Sequence, residues 1–311
     1  MTLPAAWIER LRARYGGRVR FDEPLARWTY FQVGGPADAL VVPSGEADLA
    51  DLLRMRAAQA DPPPLTVIGL GTNLVVRDGG VRGIVAALTE GFSGIDARPE
   101  GDAVLLTLGA SVPICDVTAL CIDRALSGFE FATGIPGSIG GAVFMNAGTR
   151  EGEIADVLVS ARLMDASGSV REVARDALAF AYRRVDLDPG TIVLGATLRL
   201  RPGDQGAIRA RCEALVAWRS EKQPGDLPCA GSIFKNPEGA AAGRLIDQAG
   251  LKGHRIGGAV VSTKHTNFIV NDRGATARDI LALIEHVRQT VRRHSGVLLE
   301  TEVKVLGEDR V

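Results

Sequence analysis

The first hundred residues switch between two hydrophobic patterns, one with the period of a strand and one with the period of a helix. Short apolar runs lie at 39–43 and 65–68, and an amphipathic stretch over 44–58 separates them. Ser44, followed by acidic residues two and four positions later, is typical of a helix start. The pattern predicts a strand–helix–strand unit whose second strand ends before Gly69.

The middle of the chain predicts a second lobe of mixed helix and strand. One longer amphipathic stretch, over 111–125, predicts a helix, and shorter apolar or alternating runs predict strands. The predicted strands are 104–108, 158–164, 169–173 and 192–200. An α+β lobe is the simplest architecture for this set of elements.

The pattern changes again around 202–204, where Pro-Gly-Asp follows the last of these strands. A helix is expected next, because apolar residues recur at the i, i+4, i+7 and i+8 spacing of one helical face. These residues are Ile208, Cys212, Leu215 and Val216. We place a domain boundary here, which gives predicted domains at 1–84, 85–203 and 204–311.

A second long helix is predicted to begin at Thr276, where an acidic residue three positions later forms a variant of the capping box. Its apolar face consists of Ile280, Ile284, Val287 and Val291. A closing strand is predicted over 297–306, because Val303 and Val305 alternate there with charged residues.

Charge and composition narrow the classes of function. The 36 Lys and Arg residues nearly balance the 37 Asp and Glu residues, and the net charge is −1. Such a chain has no global field that attracts nucleic acid or an anionic membrane. Glycine is enriched, with 37 residues among 311, against a usual share of about 7%. We therefore expect binding sites lined by backbone, with local groups holding any anionic ligand.

Cysteine and histidine positions favour neither disulfides nor a metal centre. The four cysteines include no C-x-x-C pair, and the four histidines form no obvious ligand set. The N-terminal stretch lacks the uninterrupted apolar run of a signal peptide, and no membrane helix is expected. The sequence therefore predicts a cytoplasmic protein without a bound metal.

Two glycine-rich segments are candidate binding loops. Gly69 to Leu74 follows an apolar strand, and backbone N–H groups of such a loop can turn towards a phosphate. Leu74 replaces the third glycine of the dinucleotide fingerprint, so an ordinary tight turn is the commoner explanation. Gly134 to Ala142 is the stronger signal, since a diphosphate or a flat ring can approach a surface without side chains. A glycine-rich bend or bulge within a sheet is the alternative.

Other candidate residues have ordinary structural explanations when each is taken alone. Ser138 is not in a nucleophile elbow, because proline rather than glycine stands two positions before it. Ser232 lies in a predicted short apolar strand between prolines, and no histidine near Cys229 activates that thiol. Arg183, followed by a second arginine, is typical of a solvated edge, and Glu302 is typical of a surface charge.

Taken together and in order, several segments resemble one family, the UDP-N-acetylenolpyruvoylglucosamine reductases. Each segment alone is modest, whereas the ordered set is specific. The segments are 31–38, 69–78, 128–148, 182–183, 230–237, 250–253, 264–271 and 302–303.

The resemblance implies an α+β fold with a two-lobed FAD-binding region of the vanillyl-alcohol-oxidase type and a C-terminal substrate-binding domain. The FAD-binding lobes are then 1–84 and 85–203, and the substrate domain is 204–311. The implied cofactor is FAD, with NADPH as the hydride donor. The residues implied to wrap FAD are Gly69, Gly71, Thr72, Asn73, Leu74, Ile135, Pro136, Gly137, Ser138, Gly140, Gly141 and Asn146.

The implied activity is the reduction of UDP-N-acetylenolpyruvoylglucosamine to UDP-N-acetylmuramate in peptidoglycan precursor synthesis. Ser232 matches the proton donor of the family, and Arg183 and Glu302 match its pair at the substrate carboxylate. Glu302 must be protonated to stabilise an enolate, which requires a raised pKa. The positions implied to hold the UDP part or the substrate acid are Lys222, Asn236, Lys252 and His265.

The sequence departs from the family pattern at three places, one of which is Val185, where a small or polar residue is usual two positions after the arginine. Few residues separate Pro237 from Leu245, so the chain resembles the shorter subclass, which lacks the loop that brings a tyrosine over the nucleotide. The tripeptide at 149–151, Thr-Arg-Glu, stands where Ala-Tyr-Gly is commoner.

Two alternative functions stay open at this point. One is another FAD-dependent oxidase of the same fold, and the other is an inert flavin- or nucleotide-binding protein. For every alternative the expected ligand is a small molecule, and no nucleic acid, membrane or obligate protein partner is expected.

Overall fold

The computed structural model describes residues 3–309, which form both helices and strands. The helices are α1 (Ala5–Tyr15), α2 (Glu46–Ala57), α3 (Ile114–Asp123), α4 (Ile139–Met145), α5 (Ile154–Val157), α6 (Gln205–Lys222), α7 (Ala242–Gln248) and α8 (Ala277–Ser295). The strands are β1 (Val19–Pro24), β2 (Pro36–Val41), β3 (Leu65–Ile68), β4 (Leu74–Val76), β5 (Val81–Ala87), β6 (Ile95–Glu100), β7 (Ala103–Gly109), β8 (Leu126–Ser127), β9 (Gly148–Thr149), β10 (Gly152–Glu153), β11 (Leu158–Met164), β12 (Val170–Ala174), β13 (Ala179–Ala181), β14 (Arg184–Asp186), β15 (Ile192–Pro202), β16 (Arg255–Ile256), β17 (Ala259–Val261), β18 (Ile269–Asn271) and β19 (Lys304–Leu306).

The first lobe contains a four-stranded sheet in the order β1-β2-β5-β3. Strands β2 and β3 both run parallel to β5, and α2 connects them, which confirms the predicted strand–helix–strand unit. The helix begins at Glu46 with Gly45 as its N-cap, and Ser44 instead binds the Asp48 carboxylate through its N–H and its hydroxyl. The loop that begins at Gly69 leaves the carboxyl end of β3, where parallel sheets commonly bind ligands.

The second lobe is an antiparallel sheet in the order β12-β11-β15-β7-β6, with β8 added to β15. All four strands predicted for this lobe are present, each within two residues of its predicted ends. Helix α3 begins three residues later than predicted, because the backbone before Pro113 is biased towards extended geometry. The run 134–142 forms no bulge within the sheet, because it leads into helix α4.

Two long helices mark the C-terminal region. Asp204 caps α6 by accepting a hydrogen bond from the N–H of Ala207 over 2.7 Å. The predicted apolar face of α6 is wrong at Val216, whose side chain is 52% exposed. Helix α8 has the predicted capping box at Thr276, and its predicted apolar face is buried.

Two strand predictions in this region are wrong. The closing strand is limited to β19, which pairs in parallel with β4, and Val305 on it is 39% exposed. The segment 228–237 around Ser232 forms isolated bridges in place of a strand. It is held by single backbone hydrogen bonds to neighbouring segments, such as the one from Glu302 N–H to the Ile233 carbonyl over 2.8 Å.

The three regions share their packing. The C-terminal core contains Phe31, Val33 and Val75 from the N-terminal part of the chain. The Asp78 carboxylate accepts hydrogen bonds from the first two N–H groups of α8, each over 2.9 Å. These contacts bring β4, β19 and the start of α8 together. The α+β class is confirmed, and the exact division into three domains stays a prediction.

Two findings concern membrane crossing and metal binding. Within residues 3–309, no helix combines the length and the apolar character that crossing a membrane requires. Over the same residues, His, Cys, Asp and Glu side chains form no group of three or more that is placed to hold a metal ion.

Candidate active site

A cavity of about 2510 Å³ lies where the three regions meet. Its walls come from the loop 69–74, the segment 134–141, helix α6 and the C-terminal segments around Ser232 and Glu302. Ordinary small-molecule pockets measure about 300–1,000 Å³. The space is therefore large enough for a bulky cofactor together with a second ligand.

The two glycine-rich loops face each other across this cavity. A Cβ placed on Gly69 would lie 3.1 Å from Ser138 Oγ, and one on Gly137 would lie 3.1 Å from Thr72 Oγ1. A Cβ on Gly141 would meet nothing closer than 4.0 Å, so this stretch of wall is open backbone. A wall of this kind admits the close approach of a diphosphate or a ring, and the loops therefore fit a dinucleotide such as FAD.

The structure brings the predicted cofactor residues together, with one exception. Those of the two loops all line the cavity, namely Gly69, Gly71, Thr72, Asn73, Leu74, Ile135, Pro136, Gly137, Ser138, Gly140 and Gly141. Asn146 is fully buried behind this wall, at the left-handed C-cap of α4. Its Oδ1 accepts from the Ala155 N–H and its Nδ2 donates to the Ala181 carbonyl, each over 3.1 Å. Both ends of its amide are thus occupied by backbone.

Arg183 lies in the two-residue turn between β13 and β14, with a backbone φ of 57°. Positive φ is uncommon for a residue with a Cβ and costs of order 1–3 kcal/mol, and it persists where the surrounding structure enforces it. Nη2 of Arg183 donates to the Gly148 carbonyl over 2.6 Å, and its guanidinium lies 4.9 Å from the Tyr182 ring centroid. Both the backbone and the side chain of this arginine are therefore fixed.

Glu302 is the ion-pair partner of Arg183. Arg183 Nε and Glu302 Oε1 are 3.0 Å apart, and the side chains are only 14% and 18% exposed. Burial raises the pKa of Glu302 above its ordinary value, while Arg183, then Lys235 and Lys304, oppose the rise. The net direction is upward, because loss of hydration of the carboxylate outweighs these cations.

Ser232 lies on the segment beside Glu302. The backbone of Glu302 donates to the carbonyl of Ile233, which follows Ser232 directly, so the two residues are on adjacent segments of the cavity wall. Ser232 follows Gly231, whose φ is 73°, and its side chain is half-buried. Asn73, from the first glycine loop, donates to the Glu302 carbonyl over 3.3 Å. The predicted catalytic trio and the predicted cofactor loop therefore meet in one place.

The four predicted nucleotide-binding residues are divided. Asn236, Lys252 and His265 line the cavity, and burial lowers the pKa of His265, which favours its neutral form. Asn236 Oδ1 already accepts the Ala242 N–H at the start of α7 over 3.0 Å. Lys222, at the end of α6, is outside the lining residues and pairs with its neighbour Glu221 over 2.5 Å.

The cavity wall also contains cations that we did not predict from sequence. Basic residues outnumber acidic ones along the wall by nine to four, although the whole chain has a net charge of −1. Arg211 and Arg219 of α6 are two of them, and Arg150 stacks over Trp218 of the same helix, 5.8 Å from its ring. Arg211 and Arg219 are eight positions apart and so lie on one face of α6. The sequence alone does not single them out, because exposed basic residues on a helix are ordinarily solvated.

Two family models match the chain. The model described as FAD binding domain matches residues 37–174, and the model described as UDP-N-acetylenolpyruvoylglucosamine reductase, C-terminal domain, matches residues 223–306. The first match spans both glycine-rich loops, and the second contains Ser232 and Glu302. These matches confirm the predicted FAD-binding region and the C-terminal domain.

Curated relatives and a solved structure agree with these matches. The UDP-N-acetylenolpyruvoylglucosamine reductase of Pediococcus pentosaceus is 45% identical over 289 residues, covering 93% of this chain and 94% of that protein. The reductase of the same name from Syntrophus aciditrophicus is 43% identical over 303 residues, with 97% and 96% covered. The crystal structure of the Thermus caldophilus UDP-N-acetylenolpyruvylglucosamine reductase superposes with a TM-score of 0.80 at 35% identity, covering 93% of this chain and 98% of that chain.

Proposed function

This chain belongs to the UDP-N-acetylenolpyruvoylglucosamine reductase family, and we propose that it reduces UDP-N-acetylenolpyruvoylglucosamine to UDP-N-acetylmuramate with bound FAD and with NADPH as the electron donor. The observation that carries this proposal is the joining of Arg183, Ser232 and Glu302 at the wall of one cavity that the glycine loops also line. The reaction supplies a precursor for peptidoglycan.

The two glycine loops are the residues that would hold FAD. Open backbone at Gly141 and the facing loop around Gly69 can accommodate a diphosphate, and the basic wall offsets its charge. FAD, when bound, supplies the hydride that the C3 carbon of the enolpyruvyl group accepts. No side chain of this protein can supply a hydride, which is why the cavity must hold such a group.

Arg183 binds the substrate carboxylate in this proposal. Its Nε is occupied by Glu302 and its Nη2 by the Gly148 carbonyl, while Nη1 has no partner within residues 3–309. A guanidinium that is already fixed loses little conformational entropy when a carboxylate binds. The positive-φ turn thus orients the substrate before the reaction begins.

Glu302 donates a hydrogen bond in its protonated form. Hydride addition at C3 places negative charge on C2 and on the attached carboxylate, as in an enolate. Burial has already moved the pKa of Glu302 upward, and the arriving substrate carboxylate moves it further in the same direction. A neutral acid that is aimed at the developing charge stabilises the transition state more than the ground state.

Ser232 delivers the proton to C2. Its hydroxyl makes no hydrogen bond to another side chain or backbone group among the described residues, which leaves it free to approach the substrate. A serine hydroxyl is a weak acid in water, so the transfer depends on a water-poor site and a strongly basic carbanion. Bound cofactor and substrate would together fill the cavity beside this half-buried serine and displace water from it.

The UDP part of the substrate is assigned to the C-terminal wall. Lys252 and His265 line that wall, and Nδ2 of Asn236 stays free for the ligand while its Oδ1 caps α7. Lys222 can contribute only by releasing Glu221 and turning towards the cavity. We further propose a cytoplasmic place of action, which the four free thiols of the cysteines support.

Anaerobic stopped-flow absorbance tests the proposed function. NADPH is expected to bleach the flavin band of the purified holoprotein, and the enolpyruvyl sugar nucleotide is expected to restore it. Ser232→Ala should keep the first phase and slow the second by orders of magnitude. Ser220→Ala, at an exposed serine that also lines the cavity, is the control and should leave both phases unchanged.

The other outcomes contradict the proposal in distinct ways. A yellow protein that NADPH does not bleach indicates an oxidase of the same fold. A protein that cannot be reconstituted with FAD contradicts flavin chemistry altogether. Unchanged turnover in Ser232→Ala removes the proton-donor role from that residue.

A further inference from the structure

Arg219 is a cation without a partner on the wall of the cavity. It lies in the last turn of α6, and its side chain is half-buried among cavity residues. Among the described residues 3–309, no carboxylate lies within 4.0 Å of its guanidinium and no hydrogen bond from it is formed. A half-buried arginine normally pairs, because an unpaired charge away from water is costly.

The side chain of Arg219 is directed by the first glycine of the loop 134–141. A Cβ on Gly134 would lie 2.6 Å from Arg219 Cδ and 3.2 Å from its Nε. Any other residue at 134 would displace the arginine, and the φ of 74° at Gly134 also favours glycine. The guanidinium is thus held against the loop to which we assign the cofactor.

The nearest acidic residue does not neutralise Arg219. Glu151 is close enough to raise the pKa of Arg219, but burial, the larger effect, lowers it. The Glu151 carboxylate is taken by Arg211, whose Nη2 lies 3.2 Å from Glu151 Oε2. Helix α6 therefore presents two arginines to the cavity. Arg211 is the more exposed one and pairs with Glu151, whereas Arg219 is more buried and has no carboxylate partner among residues 3–309.

We propose that the Arg219 guanidinium is the counter-ion of an anionic group of the bound flavin cofactor. That group is either a phosphate of the diphosphate or the negative charge on the ring when it is reduced, since charge near the flavin ring tunes its redox behaviour. This inference rests on the proposed function, because it requires that the cavity holds FAD. It adds a binding residue that lies outside both glycine loops.

Two measurements on the holoprotein and its apo form test this assignment with Arg219→Met. If the partner is a phosphate, oxidised FAD binds at least tenfold more weakly, as measured by flavin fluorescence quenching, and the midpoint potential stays unchanged. If the partner is the reduced ring, the dissociation constant of oxidised FAD stays unchanged. The midpoint potential then falls by about 30 mV for each tenfold loss of affinity for the reduced form.

Three further variants isolate the effect of charge. Arg219→Gln is a second neutral variant that guards against a folding defect in Arg219→Met. Arg219→Lys should restore most of the lost affinity or potential, because it keeps a cation. Arg209→Met is the matched control on the same helix, because Arg209 is exposed and lies outside the residues that line the cavity, and it should behave as wild type in both measurements.

The assignment is overturned if both neutral variants match Arg209→Met in affinity and in potential. It is also overturned if Arg219→Lys is no better than Arg219→Gln, since charge is then not the cause. A wild-type protein that binds no FAD contradicts the proposed function, whereas FAD binding that is indifferent to Arg219 contradicts this inference alone.

Discussion

Arg183 Nε lies 3.0 Å from Glu302 Oε1, although 119 positions separate the two residues in the chain. The arginine sits in a strained turn of the second lobe, and the glutamate sits on the segment that leads into β19. Parallel pairing of β19 with β4 anchors the segment that holds Glu302. The site therefore depends on contacts between the first and the last parts of the described chain.

The protonation state of Glu302 predicts a pH dependence. Its pKa is raised by burial, so the neutral form is present at low pH and is lost as pH rises through the raised pKa. If the neutral acid stabilises the enolate, kcat should fall as pH rises through the pKa of Glu302. Glu302→Gln keeps a hydrogen-bond donor that does not titrate, and its kcat should be flat there.

Truncation of Glu302 distinguishes its role as a hydrogen-bond donor from a role in packing alone. Glu302→Ala should lose about 10²–10³ in kcat, the usual effect of removing one donor to a developing oxyanion. Glu302→Gln should retain most of that factor. Steady-state pH profiles of the three proteins provide the check, and a Gln variant as slow as the Ala variant would contradict a role as a neutral hydrogen-bond donor.

The same raised pKa predicts a direction for stability. The folded state binds the Glu302 proton more tightly than the unfolded state, whose pKa is near 4.5. The free energy of unfolding should therefore decrease as pH rises above about that value, and Glu302→Gln should remove this contribution. Urea titrations at several pH values measure this contribution. If the free energy of unfolding changed equally with pH in both proteins, the raised pKa of Glu302 would be contradicted.

How much the sequence predicts differs between the elements. Strand β3, four strands of the antiparallel sheet and α8 follow from local periodicity and capping, so their predicted ends agree with the structure within two residues. Strand β2 begins three residues earlier than predicted, and β6 and β8 were not predicted. The segment around Ser232 was misassigned as a strand because its apolar residues are buried without continuous strand pairing. Burial produces an apolar run in either case, and periodicity cannot distinguish the two.

The site shows the same limit. The glycine loops were candidates from the sequence alone, each with an ordinary structural alternative, and the family resemblance selected them together with Arg183, Ser232 and Glu302. Arg219 was missed because its significance depends on Gly134, 85 positions earlier, and on the capture of Glu151 by a different arginine. Such relationships exist only in the folded chain.

Asn146 is predicted to position the turn that bears Arg183. Its Nδ2 holds the Ala181 carbonyl, and Arg183 is two residues further on. Asn146→Asp keeps the acceptor for Ala155 but loses this donor, so kcat should fall while the KM for NADPH stays close to wild type. The cost in stability at neutral pH should exceed about 1–3 kcal/mol, because the variant leaves a buried carbonyl unsatisfied and also buries an unpaired carboxylate.

A second destabilised variant distinguishes a positioning role of Asn146 from a general loss of stability. Thr276→Ala removes the N-cap of α8 and should cost about 0.5–2 kcal/mol without changing kcat, since Thr276 is not among the residues that line the cavity. Thermal unfolding and turnover of both variants at one temperature make the comparison. Equal loss of kcat in Thr276→Ala and Asn146→Asp would reduce Asn146 to a purely structural residue.

Gly71 is predicted to be the least replaceable glycine of the first loop. Its φ is 68°, and a Cβ there would overlap the backbone carbonyl of Trp28. Two matched variants separate these effects: Gly16 has positive φ with open space around it, and Gly69 has ordinary φ but a Cβ position 3.1 Å from Ser138 Oγ.

The three alanine variants should therefore differ in order. Gly16→Ala should cost about 1 kcal/mol, since it carries the backbone strain alone. Gly69→Ala should have little effect on stability, because the Ser138 hydroxyl can rotate away. Gly71→Ala combines strain with a backbone clash that nothing can relieve, so it should lose more stability than Gly16→Ala and also weaken FAD binding. Urea denaturation and FAD titration of the three proteins test this order. If Gly71→Ala bound FAD as tightly as Gly69→Ala, the conformation of the loop at Gly71 would not be what cofactor binding requires.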